Sequence, residues 1–161
     1  QRKVSGRAGV ALRAREYQVS GGRLINQPCY VSPQPAVVDL GFVPLTELAP
    51  VGPGKNFTIN FSGCPTGSVH LMIKNTLSPD PTQGILPNLV PTNEGGAANV
   101  AIQVMSVRRQ PVELNVLQDL KHEEGGEFTR DYFAQIRKLT ENQPARAGKL
   151  KAMADLIVTY E

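Results

Sequence analysis

The sequence predicts an all-β domain, and three observations support this class. The chain has 15 glycines and 13 prolines among 161 residues, which predicts many turns and therefore many short strands. Apolar and polar residues alternate along several short runs, as in strands with one buried face. The hydrophobic content of 40% is enough for a packed core, whereas no run approaches the roughly 18 apolar residues of a membrane span.

Length and charge limit the number of domains and the kinds of partner that the chain can have. A chain of 161 residues is one domain by length, and its net charge of only +3 does not imply a field strong enough to capture nucleic acid. The sequence opens without a signal peptide, so we expect a cytosolic chain or one that is already processed. The two cysteines, Cys29 and Cys64, are consistent with either a disulfide or two unpaired thiols.

The first element in chain order is an alternating run over residues 4–14. Its small apolar side chains share one parity, and Arg7 and Arg13 lie on the other. This pattern predicts a strand that fills a groove, separated from the rest by the polar run of residues 15–22. Three other interpretations are the first strand of its own domain, a short helix, which Gly6 and Gly9 disfavour, and a basic arm for nucleic acid.

The remaining pattern predicts about seven further strands, drawn from eight alternating runs. They cover residues 23–31, 36–43, 55–63, 68–74, 98–105, 112–117, 127–139 and 149–161, with a possible short strand at 85–90 in an otherwise loop-like stretch. The turn at residues 65–67 predicts a hairpin between 55–63 and 68–74. Residues 127–139 fit a helix or a strand, and we predict a strand because Phe128, Tyr132, Ala134 and Ile136 share a parity.

This strand count suits a sandwich of the immunoglobulin type. The last predicted strand stops with the sequence, and the exposed edge of such a strand needs a cover. Residues 4–14 are the spare strand. They either fold back on their own domain or cover the edge of a neighbouring molecule.

Several motifs in order resemble subunits of chaperone–usher pili such as type 1 and P pili. They are GRLINQPCYV at 22–31, VDLG at 38–41, FTINFSGC at 57–64 and NVAIQVMSVRRQPVEL at 99–114. Two further motifs follow: YFA at 132–134, and the segment 152–160, which ends in the aromatic residue Tyr160. The sequence departs from the family in two ways. The segment before Cys29 is longer than in the family, and the turn at 108–109 and the loop at 122–124 match no motif of the family.

The resemblance implies an incomplete immunoglobulin-like sandwich, the pilin fold, which lacks its last strand and is completed by a donor strand from a neighbouring subunit. Residues 1–21 would be the donor-strand extension, and residues 22–161 the pilin domain with a Cys29–Cys64 disulfide. The implied function is a structural subunit of a bacterial surface pilus that polymerises by donor-strand exchange and supports adhesion.

The resemblance also implies roles for individual residues. The donor positions would be Val4, Gly6, Ala8, Val10 and Leu12. An alternative register through Tyr17 and Val19 ranks lower, because Arg13 and Arg15 would then face the groove unpaired. The acceptor groove would be lined by Phe57, Ile59, Ile102, Ile136, Leu156 and Val158, and Tyr160 and Glu161 would contact a chaperone.

The implied partners are neighbouring pilus subunits, a periplasmic chaperone and an outer-membrane usher, with no nucleic acid and no membrane insertion. The implied location is the bacterial cell surface, in a fimbrium, after export of the mature chain through the periplasm.

Other functional classes find less support. We expect no enzyme, cofactor, catalytic residue or metal site, because His70 and His122 lack a nearby nucleophile motif or a zinc-ligand spacing. One alternative is an adhesive subunit with its own carbohydrate-binding loop, in which Arg108, Arg109 and Lys121 would hold an acidic sugar. Another is a monomeric immunoglobulin-like domain that uses residues 4–14 as its own missing strand.

Overall fold

The computed structural model describes residues 7–19, 29–33, 36–42, 51–64, 69–120 and 126–160. Ten strands are present in these ranges. They are β1 (Arg7–Val19), β2 (Tyr30–Ser32), β3 (Ala36–Phe42), β4 (Val51–Cys64), β5 (Val69–Lys74), β6 (Ile85–Pro87), β7 (Val100–Ser106), β8 (Gln118–Asp119), β9 (Gly126–Lys138) and β10 (Leu150–Tyr160). Two 3₁₀ turns, Pro81–Gln83 and Thr92–Glu94, flank β6. In the part of the chain described, no helix is long and apolar enough to cross a membrane.

The strands form two five-stranded sheets. The first sheet has the order β3-β1-β10-β5-β8, and the second has the order β2-β4-β9-β7-β6. Pairing is antiparallel throughout except between β1 and β10, which run parallel. The predicted all-β sandwich of the immunoglobulin type is confirmed.

One hydrophobic core joins the facing sides of the two sheets. Ile59 and Phe61 project into it from β4, and Tyr132, Ala134 and Ile136 project from β9. Phe61 stacks on Phe128 with ring centroids 4.7 Å apart. The alternation that predicted strands at 55–63 and 127–139 is therefore the alternation between core and exterior, and residues 127–139 are a strand, as predicted.

The Cys29–Cys64 disulfide is present and both cysteines are fully buried. It ties the residue before β2 to the last residue of β4, which are neighbours in the second sheet. Burial beside Phe61 and Val31 makes this bond part of the core.

The predicted hairpin between residues 55–63 and 68–74 is wrong. β4 pairs with β2 and β9 in the second sheet, whereas β5 pairs with β10 and β8 in the first. Each strand buries one face, so a connection between them leaves two arrangements open: hydrogen-bonded neighbours in one sheet, or strands in opposite sheets. The chain adopts the second.

The predicted strand at residues 112–117 is also absent. Val112 and Leu114 are buried as its alternation required, but Val116 and Leu117 are exposed. Asn115 adopts a left-handed conformation with φ 68°, which ends any extended run. Its side chain accepts a hydrogen bond from the Asn75 backbone N–H at 2.9 Å, and the short strand β8 follows instead.

Two strands extend well beyond their predicted bounds. β1 continues to Val19 instead of stopping at residue 14, with a register irregularity between Ala14 and Glu16. β4 begins at Val51, four residues before the predicted start. Of the predicted strand at 23–31, only residues 29–31 are among the described residues. The predicted division between residues 21 and 22 lies outside the described residues.

Asn99 fixes the chain between β9 and β10. It has φ 59°, and its amide nitrogen donates to the carbonyl oxygens of Thr140 and Gln143 at 2.9 Å each. Its amide oxygen accepts from the Thr140 backbone N–H, also at 2.9 Å. A single side chain therefore satisfies several backbone groups of the loop at 140–144.

Asn99→Ala is expected to destabilise the fold by about 2–4 kcal/mol, because it removes these bonds and places alanine in a left-handed conformation. Asn99→Gly relieves the backbone and loses only the bonds, so its cost should be smaller. Asn93→Ala, at an exposed position of the second 3₁₀ turn, is the control and should change stability by less than about 0.5 kcal/mol. Urea denaturation measures all three, and equal stability of Asn99→Ala and the natural chain would contradict the assignment.

Candidate strand-accepting groove

β1 fills a groove between β3 and β10 in the first sheet. It pairs antiparallel with β3, from Arg7 opposite Phe42 to Leu12 opposite Ala36. On its other side it pairs parallel with β10, beginning with Ala8 opposite Leu150. Both long edges of the groove therefore obtain backbone hydrogen bonds from this one strand.

The core face of β1 is the one that the sequence predicts. Ala8, Val10 and Leu12 are at most 2% exposed, while Arg7 is exposed. Burying side chains as large as Val10 and Leu12 contributes roughly 1.5–3 kcal/mol each. Val4 and Gly6, the other two predicted donor positions, lie outside the described residues, and the structure describes only the backbone at Tyr17 and Val19, the alternative register.

The residues beside Val10 and Leu12 are mostly small. Ala152 and Ala154 of β10 lie opposite them on one side, and Val38 and Ala36 of β3 lie opposite them on the other. All four are buried. The sequence does not predict that these residues line the groove, although the alternation along residues 150–158 places the two alanines on the core face. The missing information was the register of β1.

The predicted acceptor residues all belong to the core around the groove. Ile59, Ile102, Ile136, Leu156 and Val158 are buried, and Phe57 is half-buried against the same cluster. Leu156 and Val158 lie opposite Ala14 and Tyr17, farther along β1 than the three buried donor residues. Of the two predicted chaperone contacts, Tyr160 is the last residue of β10, and the structure describes only its backbone. Glu161 lies outside the described residues.

Contacts other than β1 hold the start of β10 in position. The Lys151 backbone N–H donates to Asn88 Oδ1 at 3.0 Å, and its carbonyl accepts from the Leu89 N–H at 2.8 Å. Asn75 Nδ2 donates to the Met153 carbonyl at 2.8 Å. Beyond these residues β5 pairs with β10 up to its end. One wall of the groove is thus fixed along the edge opposite to β1.

Arg7 of β1 forms an exposed ion pair with Asp39 of β3. The backbone N–H of Gly41 also donates to Asp39 Oδ1 at 2.9 Å. The Gly41 hydrogen bond and the Arg7 hydrogen bond lower the pKa of the Asp39 carboxyl group below its usual value. Asp39 lies in the VDLG motif and Arg7 on the polar parity of β1, but the sequence alone did not pair them.

Close packing also occurs on the outer side of β1. A Cβ atom added at Gly9 would lie 3.0 Å from the Val38 carbonyl oxygen. Neighbouring Ala11 is small as well, so the inserted strand presents little bulk there. Gly9 and Ala11 form the floor of a shallow apolar depression that Val37 and Met153 border.

The structure locates the other predicted site residues away from the groove. The Arg109 guanidinium lies over the Phe133 ring, 3.5 Å from its centroid, and donates to the Val107 carbonyl at 3.0 Å. Lys121 and His122 lie outside the described residues. His70 is half-buried in β5, and the described ranges contain no group of three or more potential metal ligands. A carbohydrate-binding role of the loop around Arg108 stays a prediction.

Residues 18–161 match the family model described as "Fimbrial protein". The chain belongs to the fimbrial protein family. The resemblance to subunits of chaperone–usher pili is therefore confirmed, and this fimbrial subunit belongs to pili on the cell exterior. No curated protein sequence matches it.

Solved pilus structures share the fold of this fimbrial subunit. The P pilus rod subunit PapA matches with a TM-score of 0.63 and 21% identity, covering 83% of this chain and 99% of PapA. A chaperone–usher pilus studied for rod uncoiling matches with a TM-score of 0.63 and 21% identity over 88% of this chain and 92% of that chain. A type I fimbria protein and antigen of Burkholderia pseudomallei matches with a TM-score of 0.50 and 14% identity, covering 96% of this chain and 91% of that chain.

Leu12→Ala is expected to destabilise the isolated chain by about 2–5 kcal/mol, because Leu12 is fully buried between the two sheets. Ala11→Ser, on the opposite parity of the same strand, is the matched control and should cost less than about 0.5 kcal/mol. Urea denaturation measures both variants. Equal costs at the two positions would show that β1 does not complete the core.

The ion pair predicts a specific pH dependence. Because the folded-state pKa of Asp39 is lowered, its stabilising contribution is present above the unfolded-state pKa of about 4 and is lost as the pH falls through the folded-state value. The difference in denaturation midpoint between the natural chain and Asp39→Asn should be largest near pH 6 and vanish in acid. Glu113→Gln, which removes an exposed carboxylate outside β1 and β3, should not reproduce this profile.

Proposed function

We propose that this fimbrial subunit polymerises by donor-strand exchange, in which the strand around residues 4–14 of one subunit inserts into the groove between β3 and β10 of the next. The single observation that carries the proposal is the burial of Ala8, Val10 and Leu12 in this groove. The same contacts are available to a strand of the same sequence from another copy. Such strand addition combines backbone pairing with side-chain anchors in the core.

The direction of β1 favours exchange. Immunoglobulin-type sheets are antiparallel, and a parallel pair is slightly less stable per residue than an antiparallel one. β1 runs parallel to β10 in the isolated chain. A donor strand entering in the opposite direction would bury the same parity of side chains, and it would pair antiparallel with β10 and parallel with β3. The pairing with β10 runs from Ala8 to Val19, whereas the pairing with β3 stops at Leu12. The reversed strand would therefore have the longer of its two ladders antiparallel, which favours polymerisation.

The fixed wall of the groove supports the same proposal. Asn88, Leu89 and Asn75 hold β10 from its far edge, so replacement of β1 by another strand leaves these bonds intact. We propose that a periplasmic chaperone fills the groove before assembly, with Tyr160 and Glu161 as its contacts, and that an outer-membrane usher assembles the subunits. The resulting fibre would support adhesion without catalysis.

A second candidate is a self-complemented monomer, and the position of β1 in the groove of its own chain favours it. The two states compete. A strand on the same chain has a high effective concentration, on the order of millimolar. A neighbouring strand displaces it when antiparallel pairing is stronger or when subunits are delivered side by side.

A truncated chain that starts at Arg15 tests the proposal. It should be soluble only with a chaperone or with a peptide of residues 4–14, and it should not polymerise. A Leu12→Arg peptide should bind at least about 100-fold more weakly, because it buries an unpaired charge. An Ala11→Ser peptide is the matched control and should bind like the natural one. Fluorescence anisotropy of labelled peptides measures the affinities.

Mixing the truncated and intact chains distinguishes the two candidates. Donor-strand exchange predicts heterodimers in which the intact chain supplies the strand, and chains of subunits when only intact protein is present. Size-exclusion chromatography with light scattering detects both. An intact chain that stays monomeric at every concentration and never pairs with the truncated chain would establish the self-complemented monomer.

A further inference from the structure

A cleft on the outer face of the second sheet lies away from the groove. It has a volume of about 430 Å³ and lies between the end of β9 and the segment around the first 3₁₀ turn. This volume is within the usual range for sites that hold a small ligand. Its lining includes two cations, Arg137 and Lys138, and one carboxylate, Asp80.

Buried contacts orient the guanidinium group of Arg137. Its Nη1 donates to Gln103 Oε1 at 3.0 Å. Gln103 is only 3% exposed, and its Nε2 donates to the Gln83 carbonyl at 2.8 Å. The Nη2 group has no hydrogen-bond partner among the described residues. The cleft therefore contains an arginine with a fixed orientation and donors left for a ligand.

The other walls of the cleft are also held in place. Thr140 is fixed by its two backbone hydrogen bonds to the Asn99 side chain, at 2.9 Å each. Asp80 accepts a hydrogen bond from Thr82 Oγ1 at 3.0 Å, and within the described ranges it forms no ion pair with either cation of the cleft. Leu139 is 43% exposed and provides an apolar surface beside these charges.

We propose that this cleft binds an acidic monosaccharide, of the uronic or sialic acid class, through Arg137. A guanidinium group matches a carboxylate with two parallel hydrogen bonds, and Lys138 adds a second positive charge. The Asp80 carboxylate accepts hydrogen bonds from sugar hydroxyl groups. Leu139 packs against the apolar face of the ring.

The combination of groups selects a sugar acid over other anions. A simple carboxylate would use Arg137 alone and leave Asp80 and Leu139 without a role. An acidic side chain of a protein offers no ring hydroxyl groups to Asp80, so it would lack the hydrogen bonds that offset the charge of this carboxylate. The site goes beyond polymerisation, because it shares no residue with the groove or with β1.

Titration of the intact chain with glucuronic acid and N-acetylneuraminic acid, followed by NMR chemical shifts, tests the proposal. At least one acid should bind with a Kd on the order of 1 mM, a usual strength for a ligand of this size. Glucose and the methyl ester of glucuronic acid should bind at least about tenfold more weakly, because they lack the carboxylate. N-acetylaspartate amide supplies a carboxylate without a sugar ring.

Arg137→Ala should weaken acid binding at least about tenfold, and Arg137→Lys should weaken it less, because lysine keeps the charge but not the paired donors. Arg146→Ala is the matched control, since it removes an exposed arginine outside the cleft. Arg137→Ala also removes a bond to buried Gln103. Leu139→Glu therefore provides a second test, because it adds a repelling charge at an exposed position without touching that bond.

Three results would overturn the proposal. They are no shift with either sugar acid at 50-fold the expected Kd, binding that Arg137→Ala and Leu139→Glu leave unchanged, and equal affinity for N-acetylaspartate amide and the sugar acids. The last result would show recognition of a carboxylate without the sugar. Each variant is compared with the natural chain by its thermal unfolding, so loss of binding with an unchanged melting temperature supports the site.

Discussion

Closure of the first sheet by β1 is the interaction on which the rest of the structure depends. β3 and β10 are not hydrogen-bonded to each other, and β1 pairs with both of them. Without a strand in this position, two long edges would expose backbone groups and the core beneath would face solvent, which is the usual origin of unwanted strand pairing. Under the proposed donor-strand exchange, the strand that fills this position decides whether the chain is a closed monomer or part of a fibre.

The shape of the groove restricts which strand can enter. Ala36, Ala152 and Ala154 flank the buried side chains of β1, and they leave room for Val10 and Leu12. A slip of one residue would turn Arg7 toward the core and break its ion pair with Asp39. Apolar side chains on one parity and arginine on the other thus specify the register as well as the face.

The fold class and most strands follow from the sequence, because alternation is a local property. Ala8, Val10 and Leu12 reveal their buried face without reference to any other segment. The hairpin prediction failed because the turn after Cys64 does not say which sheet the next strand joins. The parallel direction of β1, the Arg7–Asp39 pair and the Asn99 contacts depend on registers between distant segments, which one sequence does not encode in any short pattern. The Arg137 cleft was missed for the same reason, since Gln103 and Arg137 are 34 positions apart.

The asymmetry between the two walls of the groove is compatible with the proposed strand exchange, because it would let β1 leave without unfolding the subunit. The first half of β10 is bonded on its far edge by Asn88, Leu89 and Asn75, and the second half by β5. Departure of β1 therefore costs the bonds and burial that β1 itself provides, while β10 keeps its other partners. In the proposed exchange, an incoming strand would recover that cost residue by residue as the outgoing one leaves. The barrier would then be set by the few residues unpaired at any moment, and the equilibrium by whether the longer ladder with β10 or the shorter one with β3 is antiparallel.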